Sequence, residues 1–104
     1  MAQVAIMAKL TAADGRRDEL KVVVADLVAA VAAGEPGTLV YAAAQDNDDP
    51  DAFWFYEFYG SEEAAAAHSG GAALAEAGKS MRGLLAGRPE VHRLTPVAGT
   101  GLPA

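Results

Sequence analysis

Cysteine is absent from the 104 residues, which excludes disulfide bonds, thiolate metal ligands and a cysteine nucleophile. Basic residues are also scarce. Eight Lys and Arg stand against 14 Asp and Glu, the net charge is −6, and no basic cluster occurs anywhere in the chain. We therefore expect neither nucleic acid nor an anionic membrane surface as a partner.

The chain also lacks long apolar runs. No run reaches membrane-spanning length, and no early basic and apolar segment resembles a signal peptide. The only two histidines, His68 and His92, do not have the spacing of paired zinc ligands, so we expect no metal site. The length and the 52% hydrophobic content predict a single cytoplasmic domain over residues 1–97, with a loose tail at 98–104.

Aromatic residues are few, and most of them lie in one stretch at residues 53–59, FWFYEFY. In an extended chain successive side chains point to opposite sides. The two sides are made of these residues: Phe53, Phe55, Glu57 and Tyr59 on one, and Trp54, Tyr56 and Phe58 on the other. Both sides are apolar apart from Glu57. This pattern predicts a central strand that is covered on both faces.

The other elements follow from spacing and turn signals. Apolar residues recur with helical period between Leu20 and Val31, which predicts a helix over 14–33 with Asp14 as its N-cap. Ser61 can cap a second helix, and Ser69-Gly70-Gly71 interrupts it. In chain order we predict a strand at 3–11, the first helix, strands at 38–45 and 53–59, a helix ending at His68 and resuming over 72–86, and a strand at 88–97.

The element order is β-α-β-β-α-β, and each helix connects two strands that must be parallel. Right-handed crossovers place both helices on one face of the sheet. The order therefore predicts an α+β, ferredoxin-like sandwich with an antiparallel sheet and the first and third strands in the middle. The helices leave one face uncovered. Because that face would expose Trp54, Tyr56 and Phe58, we expect a homodimer whose sheets pack face to face.

Several features together resemble a known family. They are Gly15 before the first helix, Pro36-Gly37, Tyr41, the run FYEFYGSEEAAAAH at 55–68, and PEVHRLTPV at 89–97. With them, nearly the whole chain resembles the antibiotic biosynthesis monooxygenase (ABM) domain family of the dimeric α+β barrel superfamily. The resemblance implies a homodimer with a substrate cavity inside each protomer, between sheet and helices. It also implies a monooxygenase that needs no cofactor and oxidises a phenolic, quinol-like or polycyclic aromatic small molecule with O2.

The resemblance further implies roles for individual residues. Glu57 and His68 would abstract a phenolic proton, and Tyr59 would hold the ring or bond its oxygen. Substrate contacts are expected from these residues: Phe53, Phe55, Tyr41, Met81 and Lys79, the last near an arginine position of the actinorhodin-pathway members. In the haem-degrading branch the axial histidine would fall at or near Gly78, which argues against haem.

The residues leave alternatives open. Glu57 and His68 also fit a buried structural pair that fixes a helix on the strand. The same apolar cavity would suit a non-catalytic small-molecule-binding or stress-response dimer. If the side chains of Phe53 and Phe55 filled that cavity, only a dimerisation module would remain.

Overall fold

The computed structural model describes residues 2–103. Met1 and Ala104, the outer ends of the predicted domain and tail, lie outside the described residues. The elements are β1 Val4–Thr11, α1 Arg17–Gly34, β2 Thr38–Gln45, β3 Ala52–Tyr59, α2 Glu62–Ser69, α3 Ala72–Ser80 and β4 Glu90–Leu94. This is the predicted order, with the second helix divided into two pieces.

The four strands form one antiparallel sheet in the order β2-β3-β1-β4. The prediction that the first and third strands are central is confirmed. These two strands pair over their full length, from Val4 opposite Tyr59 to Thr11 opposite Ala52. Both outer strands lie at sheet edges, and β4 is short and exposed between Pro89 and Pro96, as expected for an edge strand. The fold is therefore the ferredoxin-like α+β fold.

One hydrophobic core lies between the sheet and the helices. Alternate residues of β1 face it, and α1 contributes one stripe at helical spacing. The buried members from these two elements are Val4, Ile6, Ala8, Leu10, Leu20, Val24, Leu27 and Val31. Burial of each large aliphatic side chain contributes about 1.5–3 kcal/mol, so this layer fixes α1 against the central strands.

The opposite face of the sheet has no helix over it. Trp54 and Tyr56 are partly exposed there, as is Met7 of β1. The Trp54 indole N–H donates to Asp46 Oδ2 at 2.9 Å, and the Lys9 ammonium lies 5.2 Å from the ring centroid. Phe58 points to the same face but is only 2% exposed within the single chain. It therefore does not belong to the exposed patch that was predicted to meet a partner.

The predicted cap of α1 is wrong. The helix begins at Arg17, Arg16 occupies the N-cap position, and no side chain caps it. Gly15 has φ of 75°, a left-handed conformation that glycine adopts readily. The resulting turn separates Asp14 from the first helical turn, so its carboxylate does not reach the free N–H groups.

The end of α3 also differs from the prediction. The helix stops at Ser80 rather than Ala86, and Gly83 in the following turn has φ of 78°. Backbone hydrogen bonds then attach the turn to the end of β1: the Ala13 N–H donates to the Leu84 carbonyl at 2.7 Å, and the Ala86 N–H donates to the Thr11 carbonyl at 2.8 Å. The Met81 N–H still donates to the Ala77 carbonyl at 2.8 Å, and beyond it the chain leaves the helix and bonds to the sheet.

The C-terminal tail adds no further layer to the sheet and the helices. Residues 95–103 form no helix or strand, and Val97 is 96% exposed. Within residues 2–103, none of the helices combines the length and the apolar character that crossing a membrane requires.

Candidate functional site

A cavity of about 530 Å³ lies between the helix-facing side of the sheet and the helices. The sheet contributes Ile6, Ala8 and Leu10 from β1, Tyr41 from β2, and Phe55 and Glu57 from β3. The opposite wall includes Leu27 of α1 and Leu74 of α3, with Met81, Arg82 and Leu85 beyond α3. The wall is mostly apolar, and its buried polar groups meet at the end formed by Glu57 and His68.

Local sequence places His68 at that end. Ser61 lies two residues after the end of β3, and its hydroxyl accepts the Ala64 N–H at 3.1 Å, which starts α2 at Glu62. The short helix then brings His68 back over the strand, where it is only 4% exposed. The imidazole lies between two aromatic rings, with centroid separations of 4.9 Å to Tyr41 and 5.5 Å to Tyr59.

The hydrogen-bond partner of His68 is Glu35. The imidazole Nδ1 lies 2.8 Å from Glu35 Oε1, and the Thr38 hydroxyl donates to the same oxygen at 2.9 Å. An ionised carboxylate only accepts hydrogen bonds, so Nδ1 carries a proton in this pair, and in the neutral imidazole Nε2 is then the nitrogen that can accept one. The His68 Nε2 atom faces Glu57, at 3.8 Å from its Oε1. Glu35 thus selects the tautomer that directs a basic nitrogen towards Glu57.

Glu57 is 6% exposed, and its Oε1 accepts a hydrogen bond from the Tyr59 hydroxyl at 2.5 Å. Burial raises the pKa of Glu57, although the Tyr59 hydrogen bond and nearby His68 oppose the change. Burial also raises the pKa of the Tyr59 hydroxyl, assisted by its bond to Glu57, and raises that of Tyr41, assisted by the charge of Glu57. Both tyrosines therefore stay neutral at neutral pH and can donate hydrogen bonds.

The predicted catalytic residues come together at one end of the cavity. Glu57 and His68 line it, whereas Tyr59 lies behind Glu57 as its hydrogen-bond donor. Of the predicted substrate contacts, Tyr41, Phe55 and Met81 line the cavity.

Two predicted substrate contacts do not line this cavity. Phe53 borders a separate groove next to Val24 of α1 and Ala43 of β2. The side chain of Lys79 is 69% exposed, with its ammonium 3.9 Å from Glu76. The reason is rotational position: Lys79 lies on the outer side of α3, while Gly78 faces the cavity. The cation that lines the cavity is Arg82, three residues further on.

Sequence inspection also missed Glu35. One signal could have pointed to it, because Glu35 is the C-cap residue of α1. A carboxylate is unfavourable beside the partial negative charge of a helix C-terminus, so its presence there indicates a specific partner. That partner, His68, is 33 residues away in the chain. Periodicity within one element cannot reveal such a long-range pair.

The arrangement is suited to proton transfer. His68 Nε2 can accept a proton at the cavity wall, and the carboxylates of Glu35 and Glu57 would stabilise the imidazolium that forms. Across residues 2–103, no group of three or more His, Asp or Glu is arranged to hold a metal ion. The site is therefore a carboxylate–imidazole–carboxylate arrangement at the polar end of an apolar cavity.

A family model described as antibiotic biosynthesis monooxygenase matches residues 3–80. The match spans most of the chain, and the protein belongs to this family. No curated protein matches the chain.

Solved structures agree with this assignment. A provisionally assigned antibiotic biosynthesis monooxygenase from Chloroflexus aurantiacus J-10-fl is 32% identical, covering 98% of this chain and 100% of that one, with a TM-score of 0.81. A second, from Caulobacter crescentus CB15, is 30% identical over 93% of this chain and 92% of that one, with a TM-score of 0.87. A protein of unknown function from Nitrosomonas europaea is 25% identical over 100% and 97%, with a TM-score of 0.86.

Proposed function

We propose that this protein is a cofactor-independent monooxygenase that oxidises a phenolic, quinol-like or polycyclic aromatic small molecule with O2. Membership of the antibiotic biosynthesis monooxygenase family supports the reaction class. The observation that supports this chemistry most is the bond between His68 Nδ1 and Glu35, which turns the Nε2 atom towards Glu57 at the cavity wall.

The cavity suits an aromatic substrate. Its volume of about 530 Å³ is within the range of sites that enclose a small organic ligand. Tyr41 and Phe55 have ring centroids 5.4 Å apart and present aromatic surface to the cavity. An aromatic ring bound between this pair and the leucines of the helices would bury apolar area without leaving polar groups unpaired. The hydroxyl of the substrate would then contact the buried polar end of the cavity, formed by Glu57 and His68.

Proton abstraction is the first chemical step of the proposal. His68 Nε2 accepts the proton of a phenolic hydroxyl, and the resulting phenolate is far more electron-rich than the neutral phenol. The positive charge formed on the imidazole lies between Glu35 and Glu57, whose carboxylates stabilise it in a region with little water. Glu35 contributes to this step because its bond to Nδ1 keeps the basic nitrogen on the cavity side.

The oxygen step then proceeds without a further reductant. For an anthrone-type substrate in its phenolic form, loss of the proton places electron density on the ring carbon opposite the oxygen. That carbon transfers electrons to O2 and forms a C–O bond, and His68 returns its proton to the distal oxygen. Loss of the C–H proton and cleavage of the O–O bond then give a carbonyl and water. The substrate loses four electrons and O2 gains four, with one oxygen atom in each product.

One other function is favoured by a specific observation. His68 and Glu57 are 4% and 6% exposed, and each already has a protein hydrogen-bond partner. The same network would serve a non-catalytic dimer that binds a small aromatic molecule, with Glu35 and Tyr59 only fixing α2 on the sheet. A dimerisation module with a filled cavity is not supported, because Phe53 lies outside the cavity and Phe55 leaves it open.

We also propose that two copies associate through the helix-free face of the sheet. Trp54, Tyr56 and Met7 leave apolar surface partly exposed there. A contiguous patch of this kind on a single chain favours association. The substrate cavity would then lie on the side of each sheet that faces away from the partner.

Oxygen labelling distinguishes the proposed monooxygenase from a non-catalytic binding protein. The purified protein is incubated with ¹⁸O2 and a panel of quinols and anthrone-type compounds, and product and O2 consumption are measured together. A monooxygenase incorporates one labelled atom into the carbonyl and consumes one O2 per product. If the protein binds members of the panel but consumes no O2 beyond the spontaneous rate, the binding function is correct and the monooxygenase is not.

A further inference from the structure

The cavity contains a polar feature that proton abstraction does not use. Arg82 is the only cationic residue among those that line it. Arg82 is exposed, and across residues 2–103 its side chain forms no hydrogen bond and no ion pair. Within these residues Arg88 is unpaired as well, whereas Arg16, Arg17 and Arg93 each bond a carboxylate within 2.9 Å. Of these two unpaired arginines, Arg82 lines the cavity and Arg88 does not.

Sheet register places Arg82 far from the catalytic end. The cavity runs along β1, because Ile6, Ala8 and Leu10 all line it, which corresponds to about 13 Å of strand. Glu57 pairs with Ile6 at one end. At the other end, the turn that contains Arg82 is attached beyond the strand by the bridge between Ala12 and Leu85.

Helix α3, on the opposite wall of the cavity, also separates His68 from Arg82. His68 and Ser69 precede α3, Leu74 and Gly78 line the cavity from α3, and Arg82 follows its end. Nine helical residues extend about 13 Å, so α3 spans the interval between the two polar ends. The turn after it is not free to move independently, since its backbone is bonded to Thr11 and Ala13. The Arg82 backbone is therefore held at a fixed distance from His68.

We infer that the substrate is an elongated aromatic acid, with its reactive hydroxyl at His68 and a carboxylate at the opposite end bound by Arg82. This inference rests on the proposed function for the identity of the reactive end. A guanidinium binds a carboxylate through two parallel N–H bonds, which matches a planar aromatic acid better than a neutral ring. The apolar middle of the cavity excludes charge, so the two polar groups must lie at the two ends of the molecule.

Two probes test the inference: 6-hydroxy-2-naphthoic acid, which has its hydroxyl and carboxylate at opposite ends of two fused rings, and its neutral carboxamide. Dissociation constants are measured by calorimetry for wild type, Arg82→Gln, Arg82→Lys and Arg88→Gln. Arg88 is the matched control, because it is exposed, unpaired within the described residues and absent from the cavity wall. Binding is measured without turnover, so the result is independent of the oxygen-labelling experiment.

We expect wild type to bind the acid more tightly than the amide. Arg82→Gln should weaken binding of the acid about tenfold and leave the amide nearly unchanged. Arg82→Lys should retain part of the preference, and Arg88→Gln should retain all of it. Equal binding of the two probes by wild type, absence of acid binding, or an equal loss of both probes in Arg82→Gln would overturn the inference. Turnover of a neutral quinol in the labelling experiment would then leave the monooxygenase proposal intact.

Discussion

His68 and Glu35 are joined by a bond of 2.8 Å between the imidazole Nδ1 and the carboxylate Oε1, although 33 residues separate them in the chain. The bond connects the C-terminal end of α1 to the end of α2. The same carboxylate oxygen accepts the Thr38 hydroxyl at the start of β2. A single, partly buried acid therefore connects three elements and orients the base of the proposed reaction.

Removal of that acid should cost stability. Glu35→Ala leaves the buried Nδ1 of His68 and the Thr38 hydroxyl without their shared acceptor, so we expect the free energy of unfolding to fall by about 1–3 kcal/mol. Urea denaturation monitored by Trp54 fluorescence measures the change. Glu35→Gln is the matched control, because its amide oxygen still accepts both bonds, and it should lose less. Equal stability of the alanine variant and wild type would show that the bond is not formed in solution.

Glu57 should make stability depend on pH. Its pKa is raised in the folded state from an ordinary value of 4.5, mainly by burial. The folded protein then binds the proton more tightly than the unfolded chain. The stability that Glu57 contributes is therefore present at pH below its ordinary pKa of 4.5. This contribution is lost as the pH rises through the pKa of the folded state. Glu57→Gln does not titrate, so its stability relative to wild type should rise with pH, by at most about 1.4 kcal/mol per pH unit.

Tyr59 should alter the pH dependence of stability that Glu57 causes. Its hydroxyl bond to Glu57 lowers the pKa of the carboxyl and opposes the effect of burial. The Tyr59→Phe variant lacks the hydroxyl that lowers the pKa of Glu57, so this pKa should rise further. The decline in stability should then extend to higher pH. Unfolding curves collected across the acid-to-neutral range, with Glu57→Gln/Tyr59→Phe as the control that has no titrating group at 57, measure the extension. Superimposable pH profiles for Tyr59→Phe and wild type would contradict the role assigned to this bond.

Trp54 tests the proposed dimer. A carboxylate at this position would be buried against the apolar surface of the second copy, so Trp54→Glu should yield a monomer or insoluble protein. Light scattering coupled to size exclusion gives the mass. Val22→Glu is the control, since Val22 is 62% exposed on α1, the layer on the other side of the sheet, and should leave the mass unchanged. A soluble Trp54→Glu dimer would show that the helix-free face is not the interface.

The fold could be predicted from the sequence because local patterns determine most of it. The two apolar sides of residues 53–59 indicated a central strand, and the stripe from Leu20 to Val31 indicated the buried side of α1. The errors occurred where backbone conformation decides the outcome. The positive φ values of Gly15 and Gly83 introduce turns that move the start of α1 and end α3 early, and composition does not reveal them.

Only part of the candidate site could be predicted from the sequence. Glu57 could be recognised as the single carboxylate in an aromatic strand, and His68 by its position in a family-like run. Glu35 could not be paired with His68, because the contact depends on how α1 and α2 end against each other. Lys79 and Arg82 differ by less than one helical turn. Lys79 misses the cavity because of its rotational position on α3, whereas Arg82 is four residues after Gly78, which faces the cavity.

The most direct test of the proposed chemistry is the rate of O2 consumption by His68→Ala with an anthrone-type or quinol substrate. Ser69→Ala is the matched control, because Ser69 is adjacent and lines the same cavity while bonding only the Ala65 carbonyl. Loss of a general base typically lowers the rate by about 10²–10⁴-fold. We expect a fall of that size in kcat for His68→Ala, a smaller fall for Glu57→Gln, and a nearly unchanged rate for Ser69→Ala. Wild-type turnover in both His68→Ala and Glu57→Gln would contradict the mechanism.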